Sequence, residues 1–231
     1  MLYNIVYNQQ ESNTSLFKEI RINNGLNHSD IFRQWEYVHC WLCLGPLIHK
    51  AHILSIGSMR CLLTARLALL GHEVMGIDPD PQFPSWATIH AYNMRIMNCP
   101  VNINISNLEP NSYDYVISVS VFEHMENDDD KEASIIMGNV LRPGGRAILT
   151  VEMAKSYVEY KQYRGYYQGR FYDIENIMKR IVEPSGLELV DEPHWDPPIW
   201  KALKFQNTPF FDMGGPIFYP AAIVLQKPTK I

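Results

Sequence analysis

From residue 53 onward the apolar positions alternate between short solid runs and helically spaced stripes. Ile53-Leu54-Ser55-Ile56 is a short run that Gly57 stops, after which Leu62, Leu63, Leu67 and Leu70 recur at helical spacing until Gly71. Gly71 occupies the position just past a helix end where glycine is favoured. Val74, Gly76 and Ile77 then read as a second buried strand that closes on Asp78. The unit is strand, tight turn, helix, strand. Upstream, 30–44 predicts a helix with Ile31, Trp35, Val38 and Leu42 on its apolar stripe and Ser29 or Asp30 as its cap. Residues 1–29 are polar and ambiguous, with a short hairpin as the best expectation. Downstream, 81–98 predicts a helix interrupted early by Pro81 and Pro84, 101–105 a third strand, and 113–119 a fourth. The acids of Asn127-Asp128-Asp129-Asp130 precede the apolar run 133–140, as a helix N-terminus prefers electrostatically. The last two strands are expected over 182–193 and 216–226.

The distance from Gly57 to Asp78, about 20 residues, is where an acid binds the two hydroxyls of a ribose, which points to an adenosine-containing cofactor. A dinucleotide fingerprint needs three glycines so that backbone amides can cradle a pyrophosphate. Gly57-Ser58-Met59-Arg60-Cys61 has one. Such a loop suits a ligand without phosphates, and S-adenosylmethionine is one.

Three further segments carry a family resemblance. YDYVISVSVFEHM (113–125) resembles the fourth strand and following turn of class I S-adenosylmethionine-dependent methyltransferases, and LRPGGRAILTV (141–151) resembles their turn into the fifth strand. Asp78-Pro79-Asp80 closes the second strand as in many members. The resemblance spans roughly residues 50–230. QWEY (34–37) and GRFYDIENIMKRIVEPSGLELV (169–190) are also similar to a subgroup often associated with bacterial surface-polysaccharide or other small-molecule modification. What the resemblance implies is an α/β fold: a doubly wound, mostly parallel seven-stranded sheet with helices on both faces and its last strand antiparallel. It further implies one methyltransferase-like domain over 1–231, with an N-terminal helical cap (1–50), a cofactor-binding half (51–152) and a substrate-side half (153–231).

Carried onto this chain, the resemblance assigns Ser55, Gly57, Ser58 and Met59 to the methionine half of the cofactor, Asp78 to the ribose, Asn104 to the adenine, and Ser118 and Ser120 to the strand end beneath the sulfonium. Three positions depart from the family's acid and glycines: Ser55 lacks the charge, and Met59 and Cys61 replace glycines where close backbone approach is usual. Asn104 stands where an acid is usual and still accepts a hydrogen bond. His124 is the candidate base, because an ordinary imidazole titrates near neutrality, and Glu123 either orients it or faces away. Tyr166 and Arg170 belong to a segment, 156–172, with six tyrosines interleaved with cations; it is expected to cover a substrate, to pack on the surface or to make a homodimer contact.

Composition narrows the classes. The 231 residues are 46% hydrophobic and 19% charged, ordinary for a globular α/β chain, and the net charge of −5 argues against a nucleic-acid partner. No apolar run reaches a membrane span and the N-terminus shows no targeting pattern, so the chain is expected to be cytoplasmic. Cys40, Cys43, His49 and His52 invite a zinc reading, but the two cysteines lie in a helix and are read more simply as packing residues, with no metal site. The expected function is methyl transfer from S-adenosylmethionine to a small molecule or glycan precursor, at oxygen. The alternative is a catalytically inactive methyltransferase-like scaffold or partner subunit, favoured by Met59 and Cys61.

Overall fold

The computed structural model describes residues 4, 5, 7, 14–46, 49–102, 107–163, 167–195 and 218–229, with 161–163, 167 and 168 described in backbone only. Helices α1 (Ser15–Asn23) and α2 (Ile31–Leu44) precede β1 (His52–Ile56), α3 (Leu62–Leu69), β2 (Glu73–Ile77), α4 (Phe83–His90), β3 (Arg95–Met97) and β4 (Tyr113–Val119). Then come α5 (Asp129–Val140), β5 (Leu141–Ala154), the hairpin β6 (Val158–Tyr163) and β7 (Tyr167–Phe171), a helix α6 over 174–185, β8 (Glu188–Leu189) and β9 (Phe218–Gln226). The seven-stranded sheet runs β3-β2-β1-β4-β5-β9-β8. Its strands are parallel except β9, which is antiparallel to both β5 and β8. This is the expected doubly wound sheet with a reversed last strand.

Both faces of the sheet are covered, which is why β1 is apolar on successive residues. Ile53, Ile117, Ile148 and Val224 belong to the core beneath α2, α3 and α4, whereas Leu54, Val116, Leu149 and Ile223 pack with residues of α5 and α6. Cys40 and Cys43 are buried in the first of these cores as packing residues. The register pairs Ile56 with Ile77 and with Ser118, so the Gly57 loop, Asp78 and the turn after β4 leave the sheet side by side.

Several expectations shift. The strand that pairs with β2 lies at Arg95–Met97, within the span expected to be helix, so α4 is shorter; of the strand expected at 101–105, residues 103–105 lie outside the described residues. Of 182–193 only Glu188–Leu189 is strand; Val182 belongs to α6, and Gly186, at φ 64°, ends that helix. Of the N-terminal segment, residues 4, 5 and 7 run beside β9, with Ala222 N–H donating to Ile5 O at 2.7 Å and Tyr7 N–H to Pro220 O at 2.8 Å, and 15–23 are helix; residues 8–13, where the expected hairpin would turn, lie outside the described residues. Asp30, not Ser29, caps α2, accepting Phe32 N–H at 2.8 Å.

The acidic run before α5 does more than complement a helix dipole. Asp128 makes no capping bond, and Asp130 is fully buried. Its Oδ2 meets Arg170 Nη1 at 2.7 Å, Arg180 Nε at 2.8 Å and the Tyr172 hydroxyl at 2.7 Å; Oδ1 takes Arg180 Nη2 at 2.8 Å. The same arginines donate to the carbonyls of Met125 and Asn127. One carboxylate therefore joins α5, β7, α6 and the turn after β4. Removing one partner of a buried ion pair costs about 3–5 kcal/mol, so Asp130→Ala should lower the urea-unfolding free energy by that amount. A loss below about 1 kcal/mol, the level of an exposed pair, would contradict this role.

Candidate active site

A cavity of about 650 Å³ opens at the carboxyl ends of β1, β2 and β4, within the range of small-molecule sites. Gly57, Met59, Arg60 and Cys61 form one wall, Ile77 and Asp78 the floor, and Ser120, Val121 and His124 the facing wall; Arg33 and Tyr37 of α2 close the top.

Gly57 is required twice. Its φ is 71°, and a Cβ there would lie 2.2 Å from a methyl of Val121, so only glycine lets the loop pass under the turn after β4. Met59 lines the cavity without filling it and also packs on the core. Its N–H donates to Asp78 Oδ2 at 2.9 Å, while Asp80 N–H donates to Oδ1 at 2.9 Å. A carboxylate has about four acceptor positions, so two remain for a pair of hydroxyls. Tyr37 braces the loop from above, donating its hydroxyl to the Arg60 carbonyl at 3.3 Å and accepting Leu62 N–H at 3.4 Å.

Other expected residues stand elsewhere. Ser58 is buried and donates to the Ser55 carbonyl at 2.9 Å; both brace the start of the loop and neither lines the cavity. Ser118 is buried in the sheet, its hydroxyl without a hydrogen-bond partner among the described residues. Arg170 is 4% exposed and committed to Asp130, which removes it from any substrate role. Asn104 and Tyr166 lie outside the described residues.

His124 lines the cavity, but its pKa is lowered to about 4, first by withdrawal from water and then by the Arg33 cation. At neutral pH the ring is uncharged and a weak proton acceptor, which overturns the premise that made it the candidate base. Glu123 faces away from the cavity and is fully buried, with neither carboxylate oxygen bonded among the described residues. Its pKa is pushed well up by burial and then by Glu152 and Glu36, with Arg33 opposing.

Sequence reasoning missed this acidic group. Glu36 is buried; its Oε1 accepts the hydroxyls of Ser120 and, at 2.7 Å, Thr150, and its Oε2 lies 3.3 Å from Arg33 Nη1. Arg33 also donates to the Val119 carbonyl at 2.9 Å. Burial outweighs every other influence on Glu152 and, with Glu36 and Asp30 adding to it against Arg33, raises its pKa from 4.5 to about 8. The available signal was the spacing of Arg33, Glu36 and Tyr37, which puts all three on one helix face.

A family described as a methyltransferase domain matches residues 54–149. No curated protein matches the sequence. Among solved structures, Burkholderia thailandensis 1,6-didemethyltoxoflavin-N1-methyltransferase is similar with a TM-score of 0.62 and 16% identity over 97% of this chain and 92% of that one. A TehB-like S-adenosylmethionine-dependent methyltransferase of Corynebacterium glutamicum gives 0.55 and 18% over 95% and 100%. Haemonchus contortus phosphoethanolamine N-methyltransferase 2 gives 0.60 and 16% over 94% of this chain and 58% of that one. Residues 54–149 thus match a methyltransferase domain, and the solved structures similar to this chain share the fold of S-adenosylmethionine-dependent methyltransferases.

Glu152, half-buried at the end of β5, makes a pH prediction. Glu152 titrates near 4.5 when unfolded and near 8 when folded, so the folded state binds the extra proton between those values and loses stability as pH rises through that window. Glu152→Gln removes that loss. Its melting temperature should equal the wild type's near pH 5 and exceed it near pH 9 by roughly 2–4 °C for each kcal/mol relieved. A constant gap at both pH values would contradict the shift.

Proposed function

We propose that this chain transfers the methyl group of S-adenosylmethionine to a small organic acceptor, with Gly57, Met59 and Asp78 holding the cofactor and Ser120 bordering the acceptor. The observation that carries the reading is Asp78, on the cavity floor with its carboxylate fixed by two backbone N–H groups and acceptor positions to spare. The residues present fit the cofactor: a ribose-binding acid, a loop held under Val121, and a cavity of the right size. Bound there, the cofactor supplies a methyl carbon already activated by its sulfonium.

The chain's own residues then have to bind, orient and exclude water, since methyl transfer is an in-line displacement governed by alignment. Tyr37 and Asp78 fix the loop; Val121 and Met59 present apolar surface; Arg33 closes the top. We infer a nitrogen acceptor in preference to oxygen. A hydroxyl or a protonated amine needs a base, and His124, with a pKa of about 4, is a poor one, so the acceptor favoured is a nitrogen that is already uncharged at neutral pH. Two of the similar proteins are N-methyltransferases by name. The substrate-covering segment loses a support, because Arg170, one of the cations expected to face the acceptor, is buried against Asp130.

The scaffold reading keeps one observation in its favour: Met59 and Cys61 narrow the loop side of the cavity. Calorimetric titration with S-adenosylmethionine and S-adenosylhomocysteine separates the two. The expected result is micromolar binding, weakened in Asp78→Ala by about 1–3 kcal/mol, the worth of hydrogen bonds to a charged group. Asp78→Asn, which retains an acceptor oxygen, should lose less. No heat from a folded wild-type protein would select the scaffold.

A further inference from the structure

Ser120 stands where β4 gives way to the turn that walls the cavity, and its backbone is left-handed, with φ at 48°. Among the described residues, Asn111, Asn127, Arg60 and Ser120 share that conformation while carrying a side chain. Asparagine tolerates it; arginine and serine do not, and these two both line the cavity. Ser120 is held by β5, its N–H reaching the Thr150 carbonyl at 3.0 Å and the Thr150 hydroxyl oxygen at 3.1 Å. Backbone strain of this kind collects at functional sites.

The conformation delivers the Ser120 hydroxyl to Glu36. Glu36 is 2% exposed and stands behind the wall, outside the cavity lining. Its Oε1 receives two hydroxyls, that of Ser120 and, at 2.7 Å, that of Thr150, while its Oε2 faces Arg33 Nη1 at 3.3 Å. A guanidinium can only donate, and Thr150 accepts the Ser120 N–H while spending its own proton on Glu36, so the carboxylate acts as an acceptor throughout. A serine hydroxyl has one proton and two lone pairs. Ser120 has committed that proton to the carboxylate behind it. To the cavity the half-buried residue therefore offers an oxygen that can only accept.

We propose that Ser120 selects the acceptor by taking a hydrogen bond from one of its N–H groups, and that Glu36 is the positioning residue that fixes Ser120 in this sense. The proposal rests on the methyltransferase reading and narrows its substrate class to uncharged nitrogen compounds that carry an N–H, an amine or an unsubstituted ring nitrogen, over fully substituted ones. A group with lone pairs alone would meet the Ser120 oxygen lone pair to lone pair. Turning the hydroxyl toward it would strip Glu36 of a buried hydrogen bond, and such losses are what make a site reject an analogue.

NMR titration of the full chain tests it, with S-adenosylhomocysteine present and at slightly alkaline pH, where the probes are uncharged. The probes are pairs that differ by methylation at nitrogen: pyrazole and N-methylpyrazole, benzimidazole and N-methylbenzimidazole, aniline and N,N-dimethylaniline. In at least one pair the N–H member should bind roughly 3- to 10-fold more tightly, as expected of one net hydrogen bond. Ser120→Gly removes the hydroxyl and relaxes the left-handed backbone, and should bring that pair to within about 2-fold. Glu36→Gln supplies a readout that bulk at the wall would not move. Its amide oxygen goes to Arg33 and its NH2 to Ser120, whose proton then turns to the cavity, so the preference should vanish although the serine remains. Should Glu36→Gln not fold, Ser120→Gly and the wild-type pairs decide the matter. Equal constants in every wild-type pair, no binding by any probe, or a preference that survives in either variant would overturn the proposal and leave the methyltransferase reading intact. Absence of spectral changes on adding S-adenosylhomocysteine to the wild type would instead overturn that reading.

Discussion

Asp130 holds together parts of the chain that no strand pairing joins. Two guanidiniums and a phenol converge on a carboxylate that is entirely out of water. Their remaining donors reach the carbonyls of Met125 and Asn127, and the Tyr172 hydroxyl also reaches that of Phe122 at 3.2 Å. The segment they pin runs from the end of β4 to the start of α5, and it forms the cavity wall that carries Val121 and His124. The sheet fixes where β4 ends; the Asp130 cluster fixes how the chain leaves it. Gly57 can pass under Val121 only because Val121 is held, so the loop on the opposite wall depends on the same charges.

The parts legible in the sequence were those governed by local rules. Apolar runs and glycine stops defined β1, α3 and β2 nearly to the residue, and Asp78 emerged at the end of β2 because a short buried strand fixes its own end. The short edge elements were less legible. β3 has three residues and β8 two, too few for a period to show, and their positions are set by the neighbours they pair with. The pairing of residues 4, 5 and 7 with β9 joins segments more than 200 positions apart and left no local trace.

The site divides along the same line. Gly57 and Asp78 were found from spacing, and His124 from its place after a strand, but the electrostatic character of His124 came from Arg33, 91 positions earlier in the chain. Arg170 looked like a substrate cation because it sits among tyrosines; its partner Asp130 is 40 positions away and looked like helix-start decoration. Each residue was misread for want of the other. Glu36 shows the same failure on a larger scale, since its partners Ser120 and Thr150 stand 84 and 114 positions away and meet it only after α2 folds over β4 and β5.

The loop that departs from the glycines of the family it resembles remains consistent with a bound ligand because its shape is imposed from outside. Arg60 holds φ at 61°, a left-handed conformation that costs a residue with a side chain about 1–2 kcal/mol. Glycine would adopt it freely. Here the conformation is held by the Tyr37 hydroxyl on the Arg60 carbonyl and by Asp78 on the Met59 N–H, one from a helix above and one from the neighbouring strand. Net hydrogen bonds of about 0.5–1.5 kcal/mol, or more to a charged acceptor, are enough to offset the strain. Met59 and Cys61 hold no left-handed conformation, Cys61 standing at φ −79°, so the backbone of the loop does not require glycine at either. Asp78 consequently has two duties, fixing the loop through Met59 and facing the cavity, so the geometry of the loop and the acid expected to bind the ribose cannot vary independently.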